Sequence, residues 1–310
     1  MIEINEIEDV FKRFEKIKML DKGEFSEIYK VVEKNTKKEY ALKIYNIKKE
    51  GKDYLIECIK REIEITNKCK CENVIKIYEV IKTNNAYILI LELCDIDFEK
   101  YLKDNNEKRN IYFIRKQFIG LNKALKILRE KEIMHRDIKP SNLFLKFEND
   151  ECIIKLADFG ISRYYNNPNT EFLKHSFIDN LYNNNSSEMG TPLFMAPEIL
   201  KDESYNYKID LYSLGVTLYY LIFDECPYYG KNEFILYKDI INGKILKKTG
   251  LESLDDLIEK LLKASPDERI SFEDYFNHKF FQEKMILLKI LNTKMIKLKK
   301  IKKKIKKRII

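Results

Sequence analysis

The stretch His135-Arg136-Asp137-Ile138-Lys139-Pro140-Ser141-Asn142 decides the reading of this 310-residue chain. It follows a long helical pattern, Ile111 to Lys131, in which Ile114, Phe118, Leu121, Leu125 and Leu128 recur at steps of three and four. It precedes an apolar, strand-like run, Leu143-Phe144-Leu145. Sixteen residues past Asn142 comes Asp158-Phe159-Gly160, directly after Ile153-Ile154-Lys155-Leu156-Ala157. Ala196-Pro197-Glu198 lies further on, and Ala41-Leu42-Lys43 lies upstream. Each fragment alone is weak; the information is in four of them, in this order, each on the expected element.

The surrounding pattern supports two regions. Ile28–Val32 and Glu39–Tyr45 alternate as strands around the polar turn 33–38. Residues 53–68 carry Leu55, Ile56, Ile59, Ile63 and Thr66 at helical spacing, and Val74–Lys82 and Ala86–Leu93 read as two more strands. Beyond residue 95 helices dominate, at Leu211–Phe223, Glu233–Asn242 and Leu254–Ala264. Between the 111–131 helix and these, Tyr164–Met189 is Asn-rich and lacks apolar periodicity, so it reads as a long loop.

On these fragments the chain resembles the eukaryotic protein kinase family, serine/threonine type, over about residues 14–281. The resemblance implies an α+β, bilobal fold. A small antiparallel sheet lobe with one helix (about 14–93) would be joined to a larger, mainly helical lobe (about 94–281), with ATP in the cleft. Residues 1–13 would be an N-terminal extension, and 282–310 a basic amphipathic tail.

The implied chemistry is transfer of the ATP γ-phosphoryl group to Ser/Thr hydroxyls of protein substrates, which asks a protein mainly to position charge. Lys43 would supply the cation for the α and β phosphates. Glu62 would hold it extended, with Glu64 as the neighbouring alternative on another face. Asp137 would accept or orient the hydroxyl proton, and Lys139 would neutralise charge on the moving group. Asn142 and Asp158 offer the hard oxygen ligands that Mg²⁺ prefers. Asp21-Lys22-Gly23-Glu24-Phe25-Ser26 stands where a GxGxxG loop is usual and keeps only the middle glycine, Gly23. Asp21 places a carboxylate near the nucleotide, so weakened ATP binding is expected.

Leu20, Ile28, Ala41 and Phe144 resemble the apolar walls of an adenine site; plain core packing is the other reading. In the connector Ile88–Cys94, Leu91 would gate the back pocket, and Glu92 and Cys94 would offer backbone groups to the adenine edge. Cys94 reads as an ordinary thiol rather than a redox switch. Lys139 and Thr191 favour the serine/threonine type, and residues 192–198 lean toward autophagy-type kinases. Arg136 resembles the arginine that pairs with a phosphorylated residue in the activation segment, 158–198. Thr170, Ser176, Ser186 and Ser187 are the hydroxyls there, with Ser186 or Ser187 as regulatory candidates. His135, Phe159 and His278 read as packing residues. Asp210 would cap the 211–223 helix and tie back to the catalytic loop, and Arg269 would pair with Glu198.

Composition narrows the alternatives. Apolar residues at 45% suit a folded chain, and charged residues at 35% exceed the usual ~25%. The first twenty residues mix charges throughout and do not read as a secretory leader. The apolar run 211–223 is thirteen residues, short of the ~18 a membrane span needs. Six scattered cysteines without a CxxC pair, and only three histidines, argue against zinc spacing and for a reduced, cytoplasmic protein. The net charge of +8 belongs to the tail: 282–310 holds twelve basic residues and one acid, leaving 46 basic against 49 acidic elsewhere. An anionic membrane, a nucleic acid or a calmodulin-like partner would suit that tail, as would a solvated end without a partner; nuclear or membrane-surface association would follow from the first readings. A binding module that uses the same fold as a scaffold is the alternative to an enzyme, on the strength of the degraded glycine loop.

Overall fold

The computed structural model describes residues 1–3, 6–23, 26–47, 52–105, 109–165, 192–201, 203–242 and 247–282. The chain divides into two compact units, 1–96 with 144–162, and 97–143 with 163 onward.

The first unit is built on a six-stranded sheet. Its strands are β1 (Ile2–Glu3), β2 (Phe14–Lys22), β3 (Ser26–Glu33), β4 (Glu39–Asn46), β5 (Ile77–Lys82) and β6 (Ala86–Leu91). Their order is β1-β5-β6-β4-β3-β2. All neighbours pair antiparallel except β1, which lies parallel to β5, so the sheet is mixed rather than purely antiparallel. The alternation of β4 feeds two cores, because successive side chains leave a strand on opposite faces. Leu42 and Ile44 join Phe14, Val31, Ile88 and Ile90 on one face. Ala41 and Tyr45 join Ile59, Val80 and Leu89 on the other. That second face meets α2 (Lys52–Lys68) through Leu55, Ile56, Ile59 and Ile63.

Residues 1–13, expected as an N-terminal extension, group with this unit. In α1 (Ile7–Arg13), Ile7, Val10 and Phe11 recur at steps of three and one and pack on the first core, where Val10 is 2% exposed. Glu8 and Asp9 in the first turn and Lys12 and Arg13 in the last suit the helix dipole. Arg13 then bonds Glu33 at 2.7 Å and Glu79 at 2.9 Å, pinning the end of α1 to β3 and β5.

The expected boundary between lobes lies near residue 93; residues 144–162 group with the first unit. The strands Leu143–Glu148 and Glu151–Leu156 are joined at Asn149 and Asp150, both at positive φ (49° and 62°), a two-residue turn that Asn and Asp tolerate. The second strand is then tied down: Val74 bridges Leu156, and Asn73 donates to the Ile154 carbonyl at 2.9 Å.

The second unit is mainly helical, with α3 (Phe98–Asp104) and α4 (Ile111–Glu130) first. Asp97 and Asn110 cap them by accepting backbone N–H groups at 2.7 and 2.6 Å. Helices Lys208–Phe223, Glu233–Ile241 and Glu252–Leu261 follow. The Lys208–Phe223 helix is buried on nearly all sides. At Gly215 it approaches its neighbour so closely that a Cβ would lie 2.7 Å from that of Leu261, which no real contact permits. Among the described residues no helix is long and apolar enough to cross a membrane.

Candidate active site

In the first unit, Lys43 projects from β4 onto the α2 face of the sheet. Its Nζ lies 2.9 Å from Glu62 Oε1 and 3.4 Å from Asp158 Oδ1. Glu62 reaches it because it follows Ile59 by three positions on the buried face of α2. Glu64 faces out and pairs with Lys68 at 2.7 Å. Burial works against the charge on Lys43, but Asp158 and Glu62 outweigh it and hold the ammonium well above the ordinary lysine value. Asp158 has φ 67°, a left-handed conformation that costs energy for a residue other than glycine. Its side chain is 47% exposed, so one carboxylate serves both Lys43 and the solvent side.

In the second unit, Asp137 is held by its own loop. Asn142 donates from Nδ2 to Asp137 Oδ2 at 2.7 Å and to the Asp137 carbonyl at 2.8 Å. Lys139 Nζ lies 2.9 Å from the same Oδ2. Beneath this loop, Asp210 accepts from the backbone N–H groups of His135 and Arg136 at 2.7 and 2.8 Å. Burial pushes the Asp210 carboxyl up, although both N–H bonds favour its charged form. Asp210 does not cap its helix: Tyr207 holds the cap position, and Asp210 is the third residue of the helix, its carboxylate spent on the loop. Arg136 has φ 73°, a second strained residue within a motif, and its guanidinium lies 5.6 Å from the Tyr205 ring. His135 is fully buried and packs as expected.

The other expected positions divide. Ala41 and Ile28 sit in the second core of the first unit, while Leu20 is 42% exposed at a register shift of β2 and Phe144 is half-buried. The backbone N–H of Glu92 is already given to the Lys76 carbonyl at 2.9 Å, so only its carbonyl is offered to a ligand. Burial pushes the Cys94 thiol up to about 12, which disfavours the reactive thiolate. Gly23 donates to the Ser26 carbonyl at 2.9 Å. A Cβ there would find only ordinary contacts, at 3.8 and 3.9 Å, so the fold itself does not demand glycine.

A protein kinase domain model matches residues 14–281. The chain belongs to the protein kinase family. It is 32% identical to the serine/threonine-protein kinase atg1 of Dictyostelium discoideum over 83% of this chain and 37% of that one. It is 33% identical to calcium-dependent protein kinase 5 of Plasmodium falciparum over 94% of this chain and 50% of that one. It is 29% identical to CBL-interacting serine/threonine-protein kinase 12 of Arabidopsis thaliana over 88% of this chain and 53% of that one. The kinase thus spans about a third to a half of the length of these relatives.

Several supports of the kinase site were not singled out by sequence. Lys155 and Lys146 converge on Glu92 Oε1 at 3.0 and 2.9 Å. Lys155 and Glu92 are almost wholly buried, and the signal was a lysine inside the apolar strand Glu151–Leu156, which must be paired to be tolerated. The Lys208–Phe223 helix carries Asp210, Ser213 and Thr217 along one face. Ser213 donates to the Phe194 carbonyl at 2.8 Å and Thr217 to the Ile138 carbonyl at 3.3 Å. Arg269 and Glu198, expected to pair, form a fully buried bidentate bridge at 2.7 and 2.9 Å. His278 is buried beside Asp256 at 2.9 Å. Thr170, Ser176, Ser186, Ser187, Thr191 and the tail beyond Gln282 lie outside the described residues.

Proposed function

We propose that this kinase transfers the γ-phosphoryl group of Mg·ATP to serine and threonine hydroxyls of protein substrates. The observation that carries the reading is the state of Asp137. Among the described residues its side-chain partners, Lys139 and Asn142, fall on Oδ2, and Oδ1 is the oxygen proposed to receive the substrate hydroxyl.

The residues present fit the nucleotide and its ion. Lys43 is a fixed cation, held by Glu62, for the phosphates. Gly23 has no role in the chain's own packing, which suits a backbone that a phosphate approaches closely. Asn142, its Nδ2 turned inward to Asp137, offers Oδ1, and Asp158 offers an exposed carboxylate. Each is a hard oxygen of the kind that Mg²⁺ takes, alongside waters and phosphate oxygens. The ion, when bound, neutralises charge on the phosphates. The protein's own part is to fix the phosphates with Lys43, orient the hydroxyl with Asp137 and screen the moving group with Lys139.

Asp21 turns its carboxylate onto the N–H of Lys22 at 2.9 Å. It is proposed to weaken nucleotide affinity without abolishing it. Six scattered cysteines with no CxxC pair are read as reduced thiols, which supports work in the cytoplasm. Regulation is proposed through phosphorylation within 158–198, read by Arg136. The tail 282–310 is proposed to have a partner of its own, an anionic membrane, a nucleic acid or a calmodulin-like protein, on the strength of its charge.

Incubation with labelled Mg·ATP and a peptide array, followed by phosphoamino-acid analysis, tests the proposal. Label is expected on Ser and Thr, falling about a thousandfold in Asp137→Asn. Equal labelling by the two proteins would favour the scaffold.

A further inference from the structure

The Lys43–Glu62 pair has a third member. Tyr45 follows Lys43 by two positions on β4, so both side chains leave the same face of the strand toward α2. Glu62 divides its carboxylate between them: Oε1 accepts from Lys43 Nζ at 2.9 Å, and Oε2 accepts from the Tyr45 hydroxyl. The tyrosine also touches the other partner, since Lys43 Nζ lies 4.9 Å from the centre of its ring. All three side chains are buried.

We infer that Tyr45 is a positioning residue for nucleotide binding, a latch that fixes Glu62 through its second oxygen and thereby holds Lys43 in place for the phosphates. The inference rests on the reading of Lys43 given above.

The physical case is one of freedom removed. The last torsion of a glutamate is soft and roughly two-fold, so a carboxylate held at one oxygen can turn away. Lysine is a point charge on a four-carbon stem and does not fix its own direction. With both oxygens bonded, only the equivalent orientation that exchanges them keeps both of Glu62's bonds. α2 is then fastened to β4 at both oxygens before any ligand arrives. Burial, and next the Glu62 charge, push the Tyr45 phenol well above its usual value, so it remains a donor throughout the working pH range. Phenylalanine at 45 would keep the ring and strand the buried Oε2, an asymmetric loss that exceeds the net value of the bond.

A double-mutant cycle tests this on the full chain, using wild type, Tyr45→Phe, Glu62→Met and the double variant. Mg·ATP affinity is read by calorimetry and the melting temperature without nucleotide. Tyr45→Phe is expected to weaken Mg·ATP about tenfold in the wild-type background and by less than about twofold beside Glu62→Met. Tyr275→Phe removes another buried hydroxyl, which donates to Asn122 at 2.7 Å in the second unit. It is expected to lower the melting temperature and leave Mg·ATP affinity unchanged.

An affinity loss for Tyr45→Phe within about twofold of wild type, or the same loss in both backgrounds, overturns the latch. The wild-type arm alone tests whether the chain binds Mg·ATP, the reading of Lys43 on which the latch rests. The melting temperatures test the Tyr45–Glu62 coupling independently of it: non-additive shifts support the bond and additive shifts overturn it.

Discussion

The polar cluster around Lys43 and the one around Asp137 are held by different means. Lys43, Glu62 and Asp158 come from positions 19 and 115 residues apart in the chain and meet only as side chains. Asp137, Lys139 and Asn142 lie within one short loop, fastened from below by a buried carboxylate that takes its backbone N–H groups. The first arrangement is charge against charge, so it depends on where a strand and a helix are placed. The second is local geometry on an anchor, so it depends on a loop conformation that includes Arg136 at φ 73°. A fault in the first should show as lost nucleotide affinity, and a fault in the second as lost turnover.

Asp210→Ala offers the sharpest way to break this contrast. It would strand two buried N–H groups, at a cost of about 2–5 kcal/mol in stability. Turnover is expected to fall about a hundredfold as the loop relaxes, while Mg·ATP affinity stays within about twofold. Chemical denaturation and calorimetry check the pair of values, and a large affinity loss would erase the distinction between the clusters.

A smaller effect is expected at the first cluster's rim. Asp21→Gly removes an exposed carboxylate next to the glycine turn and should tighten Mg·ATP about threefold, with the difference shrinking as salt is raised. Unchanged affinity would show that Asp21 does not act on the nucleotide.

The smallest effect concerns stability alone. Burial holds His278 below its usual value of 6.5, although Asp256 favours the charged form. The unfolded chain therefore binds the extra proton first, and stability should decline as pH falls below about 6.5. His278→Phe should flatten that part of the pH–stability curve and leave Mg·ATP affinity unchanged. A slope that persists in the variant would assign the effect elsewhere.

The difference between the clusters also decided how much could be read in advance. The loop 135–142 was legible because its chemistry is contiguous, and Lys43 and Asp158 were legible through their short flanking motifs. Glu62 was implied by the resemblance, and helical spacing set Glu64 on a different face. Tyr45 was not singled out, because its hydroxyl matters only once β4 faces α2. Lys155 was missed for a similar reason: its partner, Glu92, is 63 positions away and meets it only in the folded first unit. The placement of α1 was overlooked because charges dominate residues 1–13, although Ile7, Val10 and Phe11 already mark one face. The strand Ile2–Glu3 pairs parallel with β5, and two residues carry no period from which that could be read.

The most direct test of the central claim separates binding from chemistry in Lys43→Met and Asp137→Asn. Mg·ATP affinity and the rate of phosphate transfer to a serine peptide would be measured on each. Lys43→Met is expected to lose about a hundredfold or more in transfer together with a clear loss of Mg·ATP affinity. Asp137→Asn is expected to lose about a thousandfold in transfer with affinity within about twofold of wild type. Transfer that survives Asp137→Asn, or affinity that collapses with it, would contradict the account.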